Sequence, residues 1–217
     1  MDTGARDILV VRKLGICPYE SIWQRMRAFT ESRYFIEVPD ELWLLQHPPV
    51  YTLGQGGRME HVLDAGNIPV IKVDRGGQVT YHGPGQLVAY LLLDLRRAGL
   101  GVKGLVHLLE SAVIDLLAEQ GINAHVRTEA PGVYVKDAKI ASLGLRIRHH
   151  CCYHGLSLNI DLDLEPFSRI NPCGYEGMAV TQMINLGIKL PMECVEGNLA
   201  TILARHLGRV VVNRESY

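Results

Sequence analysis

The sequence predicts an α+β fold: a single domain, residues 1–217, with a mixed, largely antiparallel sheet flanked by helices. Short apolar runs of strand length recur along the chain, and some are separated only by turn sequences, which is typical of antiparallel pairing. Longer segments place apolar residues at helical spacing instead. At 217 residues with 47% hydrophobic side chains, the chain can bury one substantial core.

Three segments have the pattern of amphipathic helices. The first covers residues 19–35 and follows Pro18, with Ile22, Met26 and Phe29 on one face. The second, residues 102–120, has the most regular apolar stripe and ends at a glycine. The third is residues 192–207, near the end of the chain. We expect these three helices to cover the sheet.

The strands are predicted from apolar runs bounded by Gly, Pro and polar residues. They cover residues 8–14, 41–46, 50–53, 69–73, 86–95, 122–126, 132–136, 139–148 and 153–160. Asp137 and Ala138 are expected to form a tight hairpin turn between two of them.

The segment Arg75-Gly-Gly-Gln-Val-Thr-Tyr-His-Gly-Pro-Gly-Gln86 lies between two predicted strands. Its glycines allow backbone to come close to a neighbour, because no Cβ blocks the approach. Arg75, Thr80, Tyr81 and His82 add polar side chains to the same segment. Bare backbone beside polar groups is typical of a binding loop, although a glycine-rich hairpin with no ligand fits the same pattern.

Composition excludes some classes of function. A net charge of -1 and a pI of about 6.7 give no basic excess for nucleic-acid binding. No apolar run has the length of a membrane-spanning helix, and the N-terminus lacks the pattern of a signal peptide. The five cysteines are odd in number and unevenly spaced, so we expect reduced thiols and a cytoplasmic protein.

Cys173 differs from the other cysteines because Pro172 and Gly174 place it in a turn. A thiol held at a turn is a candidate nucleophile, provided that a nearby cation lowers its pKa from about 8.5. Lys139, at the start of a predicted strand, is a candidate for that cation, although a solvated hairpin lysine fits the sequence as well.

Two other kinds of site are disfavoured. Residues 149–152 and His154 form a dense His/Cys run, but adjacent strand residues point to opposite faces and cannot gather four zinc ligands. We therefore expect no metal. A hydrolase built from Cys173, His82 and Asn159 or Asn171 is conceivable, but no local signature supports it.

Five sequence features, in this order, resemble the motifs of the lipoyl(octanoyl) transferases, also called lipoate-protein ligase B. They are Arg75-Gly-Gly-Gln-Val-Thr-Tyr-His82, Gly85-Gln86 with Val88 and Tyr90, Lys139-Ile-Ala-Ser-Leu-Gly144, His154-Gly-Leu-Ser157 and Asn171-Pro-Cys-Gly174. The resemblance extends over most of the chain from about Leu42 onward.

The resemblance implies a fold shared with the catalytic domains of biotin and lipoate protein ligases, and a reaction without ATP or other cofactor. Octanoyl-acyl carrier protein is the implied donor. The implied acceptors are lipoyl domains of 2-oxoacid dehydrogenase complexes and the glycine cleavage H protein. Cys173 would carry the acyl thioester and Lys139 would lower its pKa. The implied substrate-binding residues are Arg75, Gly76, Gly77, Gln78, Val79, Thr80, Tyr81, His82, Ser142, Leu143, Gly144, Gly155, Leu156 and Ser157.

Chemistry agrees with these roles. Transfer from a thioester to an amide runs downhill, so a thiolate suffices and no nucleotide is required. The amides of Leu143 and Gly144 are candidate oxyanion donors, and an apolar channel near the Gly-rich segment would hold the acyl chain. His82 is a candidate for orienting substrate or moving a proton. We expect Arg146, Arg148 and the two histidines that follow to attract the acidic carrier protein.

Two alternatives remain open. An ATP-dependent lipoate or biotin ligase of the same fold would need no cysteine, and the Asn-Pro-Cys-Gly sequence disfavours it. A non-catalytic acyl-binding module would keep the pocket without the transfer.

Overall fold

The computed structural model describes residues 7–214, apart from the side chain of Cys173. The strands are β1 (Ile8–Ile16), β2 (Asp40–Gln46), β3 (Val50–Leu53), β4 (Val70–Lys72), β5 (Val79–His82), β6 (Gln86–Asp94), β7 (His125–Val126), β8 (Gly132–Val135), β9 (Ala138–Arg148), β10 (Cys151–Asn159) and β11 (Val210–Asn213). The helices are α1 (Tyr19–Ser32), α2 (Val102–Ala118) and α3 (Met192–Leu207). Over residues 7–214, no helix is both long and apolar enough to cross a membrane.

The strands form two sheets. The large sheet has the order β11-β1-β2-β6-β10-β9-β8-β7, and the small sheet has the order β4-β3-β5. In the large sheet β1 pairs in parallel with β2 and β11, and the other pairs are antiparallel. The predicted α+β fold with a mixed, largely antiparallel sheet and flanking helices is therefore confirmed.

Both faces of the large sheet are covered. Along β6, Leu87, Ala89 and Leu91 join the core beneath α2 and α3, whereas Val88 and Tyr90 join a second cluster beneath α1. Successive side chains of a strand point to opposite faces, so a strand covered on both sides reads as one continuous apolar run. This explains the sequence of β6.

The elements differ from the prediction in four places. The Gly-rich segment contains β5, which pairs with β3 rather than remaining a loop. Helix α1 ends at Ser32, short of residue 35, and only His125–Val126 of the predicted strand 122–126 is a strand. β11 was not predicted, because four residues after a helix carry too little pattern to show pairing with β1.

The two hairpin turns on either side of β9 also differ from expectation. Val135 pairs with Ala138, so the first turn is Lys136-Asp137 rather than Asp137-Ala138, and Lys136 has φ +52°. The second turn is His149-His150, with φ of +50° and +62°. Two-residue hairpins favour positive φ at the first central position or at both, because that twist matches the flanking strands. The histidine pair is therefore a turn.

Candidate active site

A narrow slot lies between the Gly-rich segment and strands β6, β9 and β10. It encloses about 510 Å³ of empty space, its open mouth included. All of the predicted binding residues except Gly76 and Tyr81 line it, together with Tyr19, Val88, Tyr90 and His154. Four motifs that are distant in sequence thus meet around one cavity.

Gly76 and Tyr81 lie outside the slot for different reasons. Gly76 borders a second, outer cavity and donates its backbone N–H to Leu145 O at 2.9 Å. Tyr81 points to the other face of β5, where its ring packs against Tyr51 and Phe167. Its position in the strand, between two slot residues, explains that orientation.

The mouth of the slot is fixed by contact between two glycine-rich segments. Gln55 N donates to Arg75 O at 2.9 Å, and Gly56 N donates to Gly77 O at 3.2 Å. At Gly54 an added Cβ would lie 2.4 Å from Gly77 O, closer than a real contact allows. Only a residue without a side chain permits this packing. The segment around Gly54, unassigned from sequence, therefore supports the binding loop.

Arg75 anchors the loop from inside. Its guanidinium Nη2 donates to Thr52 O at 2.6 Å and to Thr52 Oγ1 at 2.8 Å, and Nη1 donates to Gly76 O at 2.9 Å. The side chain is buried. A buried guanidinium is costly unless it is hydrogen-bonded, so these contacts hold the loop in one conformation.

His82 is a buried, neutral imidazole. Its Nδ1–H donates to Gln86 Oε1 at 2.7 Å, and Gln86 Nε2 donates to Asn159 Oδ1 at 2.9 Å. Desolvation and, to a smaller extent, the nearby His47 lower the pKa of His82 to about 3. Such an imidazole holds its proton at Nδ1 and does not gain a second one near neutral pH. This environment favours orientation of substrate over proton transfer.

The inner end of the slot is aromatic. Tyr90 donates its O–H to His47 Nε2 at 2.8 Å, and His47 Nδ1–H donates to Cys17 O at 2.7 Å. Tyr19 stacks on His82 with ring centroids 6.0 Å apart. Burial lowers the pKa of His47 to about 4, so this imidazole is neutral too. Tyr19 and Tyr90 were not assigned to the site from sequence.

Lys139 is buried, with 2% of its surface exposed, and is not the solvated hairpin lysine that the sequence also allowed. Its ammonium donates to Pro131 O at 3.0 Å and lies 5.3 Å from the centroid of the Tyr134 ring. Tyr134 in turn donates its O–H to Ala130 O at 2.8 Å. Strand β8 and the segment before it thus fix the position of the ammonium group.

Gly132 completes this lysine site. An added Cβ would lie 2.6 Å from Lys139 Cε and 2.7 Å from Ala141 O, and the residue has φ +146°. Its N–H donates to the carboxylate of Glu110 on α2 at 3.2 Å. Burial raises the pKa of Glu110. Neither residue was singled out from sequence, since a glycine and a helical glutamate carry no signal of this contact.

Cys173 lies in a short 3₁₀ helix, Pro172–Gly174, which packs against β5. Its side chain is outside the described part of the structure. The neighbouring Gly174 has Gln78 Cγ and His61 Nε2 as neighbours, 3.7 Å and 3.6 Å from the Cβ position. The turn that carries the thiol is therefore next to the Gly-rich loop at the mouth of the slot.

The outer cavity joins the slot to the lysine site. Gly77, Gln78, Leu143 and Gly144 line both cavities. The outer cavity also borders Pro131, whose carbonyl accepts from Lys139, and Tyr175, two residues after Cys173. A chain seated in the slot would thus have its outer end in the space near these groups.

The two amides proposed as oxyanion donors face different ways. Leu145 O accepts from Gly76 N on the edge of β9 that faces away from β10. In an antiparallel strand, residues two apart present N–H and C=O to the same edge, so Leu143 N–H points outward as well. Gly144 is paired with Gly155 in β10, and its N–H points inward. Of the two amides, only that of Leu143 points away from β10.

Comparisons with known proteins agree with this architecture. The family model described as the lipoyl protein ligase A/B catalytic domain matches residues 18–203. A relative from Alkalilimnicola ehrlichii named octanoyltransferase is 59% identical over 190 residues, 88% of each chain.

Two solved structures have a similar fold. A bi-partite lipoate protein ligase from Thermoplasma acidophilum aligns with TM-score 0.76 at 14% identity, over 97% of this chain and 88% of that one. Biotin protein ligase from Aquifex aeolicus in complex with biotin and ATP aligns with TM-score 0.54 at 13% identity, over 92% and 70%. At these identities the likeness concerns the fold alone.

Proposed function

Because this chain belongs to the lipoyl protein ligase A/B catalytic-domain family, as an octanoyltransferase, we propose that it transfers octanoyl from acyl carrier protein, through a Cys173 thioester, to a lysine of lipoyl domains. One observation carries the proposal: the apolar slot opens into a cavity that borders the groups holding buried Lys139. Residues 1–217 form one octanoyltransferase catalytic domain in this proposal, supported by the family match over residues 18–203.

In the first step, the thiolate of Cys173 attacks the carbonyl carbon of the octanoyl thioester. The new carbon–sulfur bond forms as the bond to the carrier sulfur breaks, and that sulfur leaves as a thiol by taking a proton from the Lys139 ammonium, which leaves Lys139 neutral. The exchange of one thioester for another is nearly balanced in free energy and needs no nucleotide. Leu143 N–H is the candidate donor to the developing oxyanion.

In the second step, the ε-amine of the acceptor lysine attacks the same carbonyl. An amide forms, the Cys173 sulfur leaves as a thiolate, and the amine loses one proton. Lys139, held by Pro131 O and the Tyr134 ring, has two roles in this scheme. Its positive charge stabilises the thiolate, and its neutral form accepts the proton of the amine.

The slot holds the acyl chain. Val79, Val88, Leu143 and Leu156 are apolar lining residues, and each buried methylene contributes about 0.8 kcal/mol. The six methylenes and terminal methyl group of octanoyl would thus contribute several kcal/mol, which suffices to prefer a medium chain over a short one. Arg75 keeps the loop around the chain in place through its bonds to Thr52.

The finer partner assignments also belong to this proposal: octanoyl-acyl carrier protein as donor, and lipoyl domains of 2-oxoacid dehydrogenase complexes and the glycine cleavage H protein as acceptors. We place the reaction in the cytoplasm, where thiols stay reduced. In support, Cys17, Cys151, Cys152 and Cys194 are all free.

An assay without ATP tests the proposal. The enzyme is mixed with octanoyl-acyl carrier protein and a lipoyl domain, and intact mass reports whether the domain gains one octanoyl group. The expected result is complete transfer without ATP. Transfer that requires ATP and free octanoate would instead support an adenylate-forming ligase, and acyl binding without transfer would support a non-catalytic module.

A further inference from the structure

Glu110 is a buried carboxylate on α2 that the two transfer steps do not use. It is 7% exposed, and its neighbours on the covered face of the helix, Leu109 and Val113, belong to the apolar core. An ionisable group in such a place is costly unless hydrogen-bond donors or an opposite charge lie close to it. The contacts of Glu110 therefore show what this carboxylate is held for.

Gly132 lies between the Glu110 carboxylate and the ammonium group of Lys139. Its N–H donates to Glu110 Oε1 at 3.2 Å, and its Cβ position lies 3.2 Å from Lys139 Nζ. The amide nitrogen and the Cβ position of one residue are about 2.5 Å apart, so the carboxylate oxygen and the ammonium nitrogen are at most about 9 Å apart. Because the residue between them is glycine, no side chain of its own separates the two groups.

The two groups interact through a buried part of the protein. Burial raises the pKa of Glu110, whereas the Gly132 N–H and the nearby His107 and Lys139 oppose that rise. His107 lies one turn earlier on α2, and Tyr134 faces the lysine from β8. Away from water a charge several ångströms distant is weakly screened. Glu110 and Lys139 therefore each favour the charged form of the other.

The proposed transfer requires Lys139 to change its charge twice. As an ammonium group it stabilises the Cys173 thiolate and gives a proton to the departing carrier sulfur. As an amine it then accepts the proton of the acceptor lysine. Burial alone disfavours an ammonium group, so a buried lysine needs a fixed negative charge nearby to regain its proton readily. Glu110 is placed to supply that charge.

We propose that Glu110 is a positioning residue that acts through Lys139. Its carboxylate favours the return of the lysine to the ammonium form after each transfer, and its bond to Gly132 holds the start of β8, next to the Pro131 carbonyl that accepts from the lysine. The inference rests on the proposed function, because it takes Lys139 as the group that exchanges the proton.

Glu110→Gln and Glu110→Asp separate the charge from the hydrogen bond. Glutamine keeps an oxygen that accepts from Gly132 N–H but has no charge, whereas aspartate keeps the charge on a shorter side chain. The pH profile of kcat/KM for the donor reports ionisation of the free enzyme, and its basic limb reports loss of the proton from Lys139. Glu110→Gln should move that limb to lower pH by on the order of one unit. Glu110→Asp should keep it near the wild-type position.

Asp115→Asn is the matched control, since it removes one negative charge from the same helix. Asp115 lies more than one helical turn beyond Glu110 and contacts Arg205 and His206 of α3 at the surface. This variant should leave the basic limb unchanged. A purely structural role of Glu110 would lower the Tm of Glu110→Gln without moving the limb, and that result would overturn the inference. An equal shift in Asp115→Asn would overturn it too.

A measurement on the wild-type protein stands even where a variant does not fold. The carbon-13 shift of the Glu110 carboxyl group should be that of an ionised carboxylate at pH 7, and a protonated carboxyl group at that pH would overturn the inference. Octanoyl transfer by the wild-type enzyme is the reference. Failure of that transfer would defeat the proposed function, whereas normal transfer with an unmoved basic limb in Glu110→Gln would defeat this inference alone.

Discussion

Replacing Gly132 with alanine tests whether the lysine site depends on close packing. The added methyl group would lie 2.6 Å from Lys139 Cε and 2.7 Å from Ala141 O. The lysine side chain can move, but the backbone carbonyl of β9 cannot move without disturbing the sheet. We therefore expect the lysine to leave Pro131 O, the contact that fixes its ammonium group at 3.0 Å.

The expected loss of stability in Gly132→Ala is the sum of two costs. Overpacking costs about 1–3 kcal/mol, and a φ of +146° on a residue with a side chain costs about 1–3 kcal/mol more. The free energy of unfolding should thus fall by about 2–6 kcal/mol, or about 4–24 °C in Tm for a chain of this size. A misplacement of about 1 Å in the catalytic group should lower kcat on the order of 100-fold.

Thermal unfolding and octanoyl transfer are measured on Gly132→Ala beside a matched control, Gly197→Ala. Gly197 lies in α3, and an added Cβ there meets nothing within 4 Å. The control should keep wild-type transfer and gain up to about 1 kcal/mol of stability, because alanine favours a helix. Wild-type stability and wild-type transfer in Gly132→Ala would refute the packing argument.

Three further predictions concern charge. Lys139→Ala should lower the transfer rate by orders of magnitude and raise the pKa of the reactive thiol, and unchanged alkylation of that thiol at pH 7 would rule out their pairing. Burial lowers the pKa of His47 to about 4 and that of His82 to about 3, from 6.5. The unfolded chain therefore binds protons that the folded one excludes, and stability should fall below pH 6.5 by up to about 1.4 kcal/mol per pH unit for each histidine. Urea unfolding at pH 7.5 and 5.5 checks this, and a free energy of unfolding that does not fall at the lower pH would contradict it. Reversing Arg146 and Arg148 to glutamate should raise the KM for the carrier protein at low salt, and an unaltered KM would show that they do not attract it.

The sequence predicted the sheet and its helices because their signals are local. Apolar periodicity and turn residues predicted most strands of the large sheet, and the continuous apolar run of β6 reflects its two covered faces. Pairing between distant segments has no such signal. β11 was therefore missed, and β5 was taken for loop because its glycine-rich flanks outweigh four strand residues.

The sequence predicted the site residues that belong to motifs. It missed the residues that contribute to the site only through packing. The slot gathers most of the predicted binding residues, but Tyr81 faces the other side of β5, and Gly144 N–H faces β10. Glu110 accepts a hydrogen bond from the N–H of Gly132, which lies next to the segment that holds the lysine. Contacts of this kind depend on three-dimensional neighbours, which spacing along the chain does not reveal.

Trapping the acyl-enzyme tests the central claim most directly. The enzyme is mixed with octanoyl-acyl carrier protein in the absence of acceptor, quenched in acid and mapped by peptide mass. We predict one octanoyl group on the peptide that contains Cys173, and none in Cys173→Ser. An octanoyl group on another residue, or rapid transfer to the lipoyl domain by Cys173→Ser, would contradict the proposed route through this thiol.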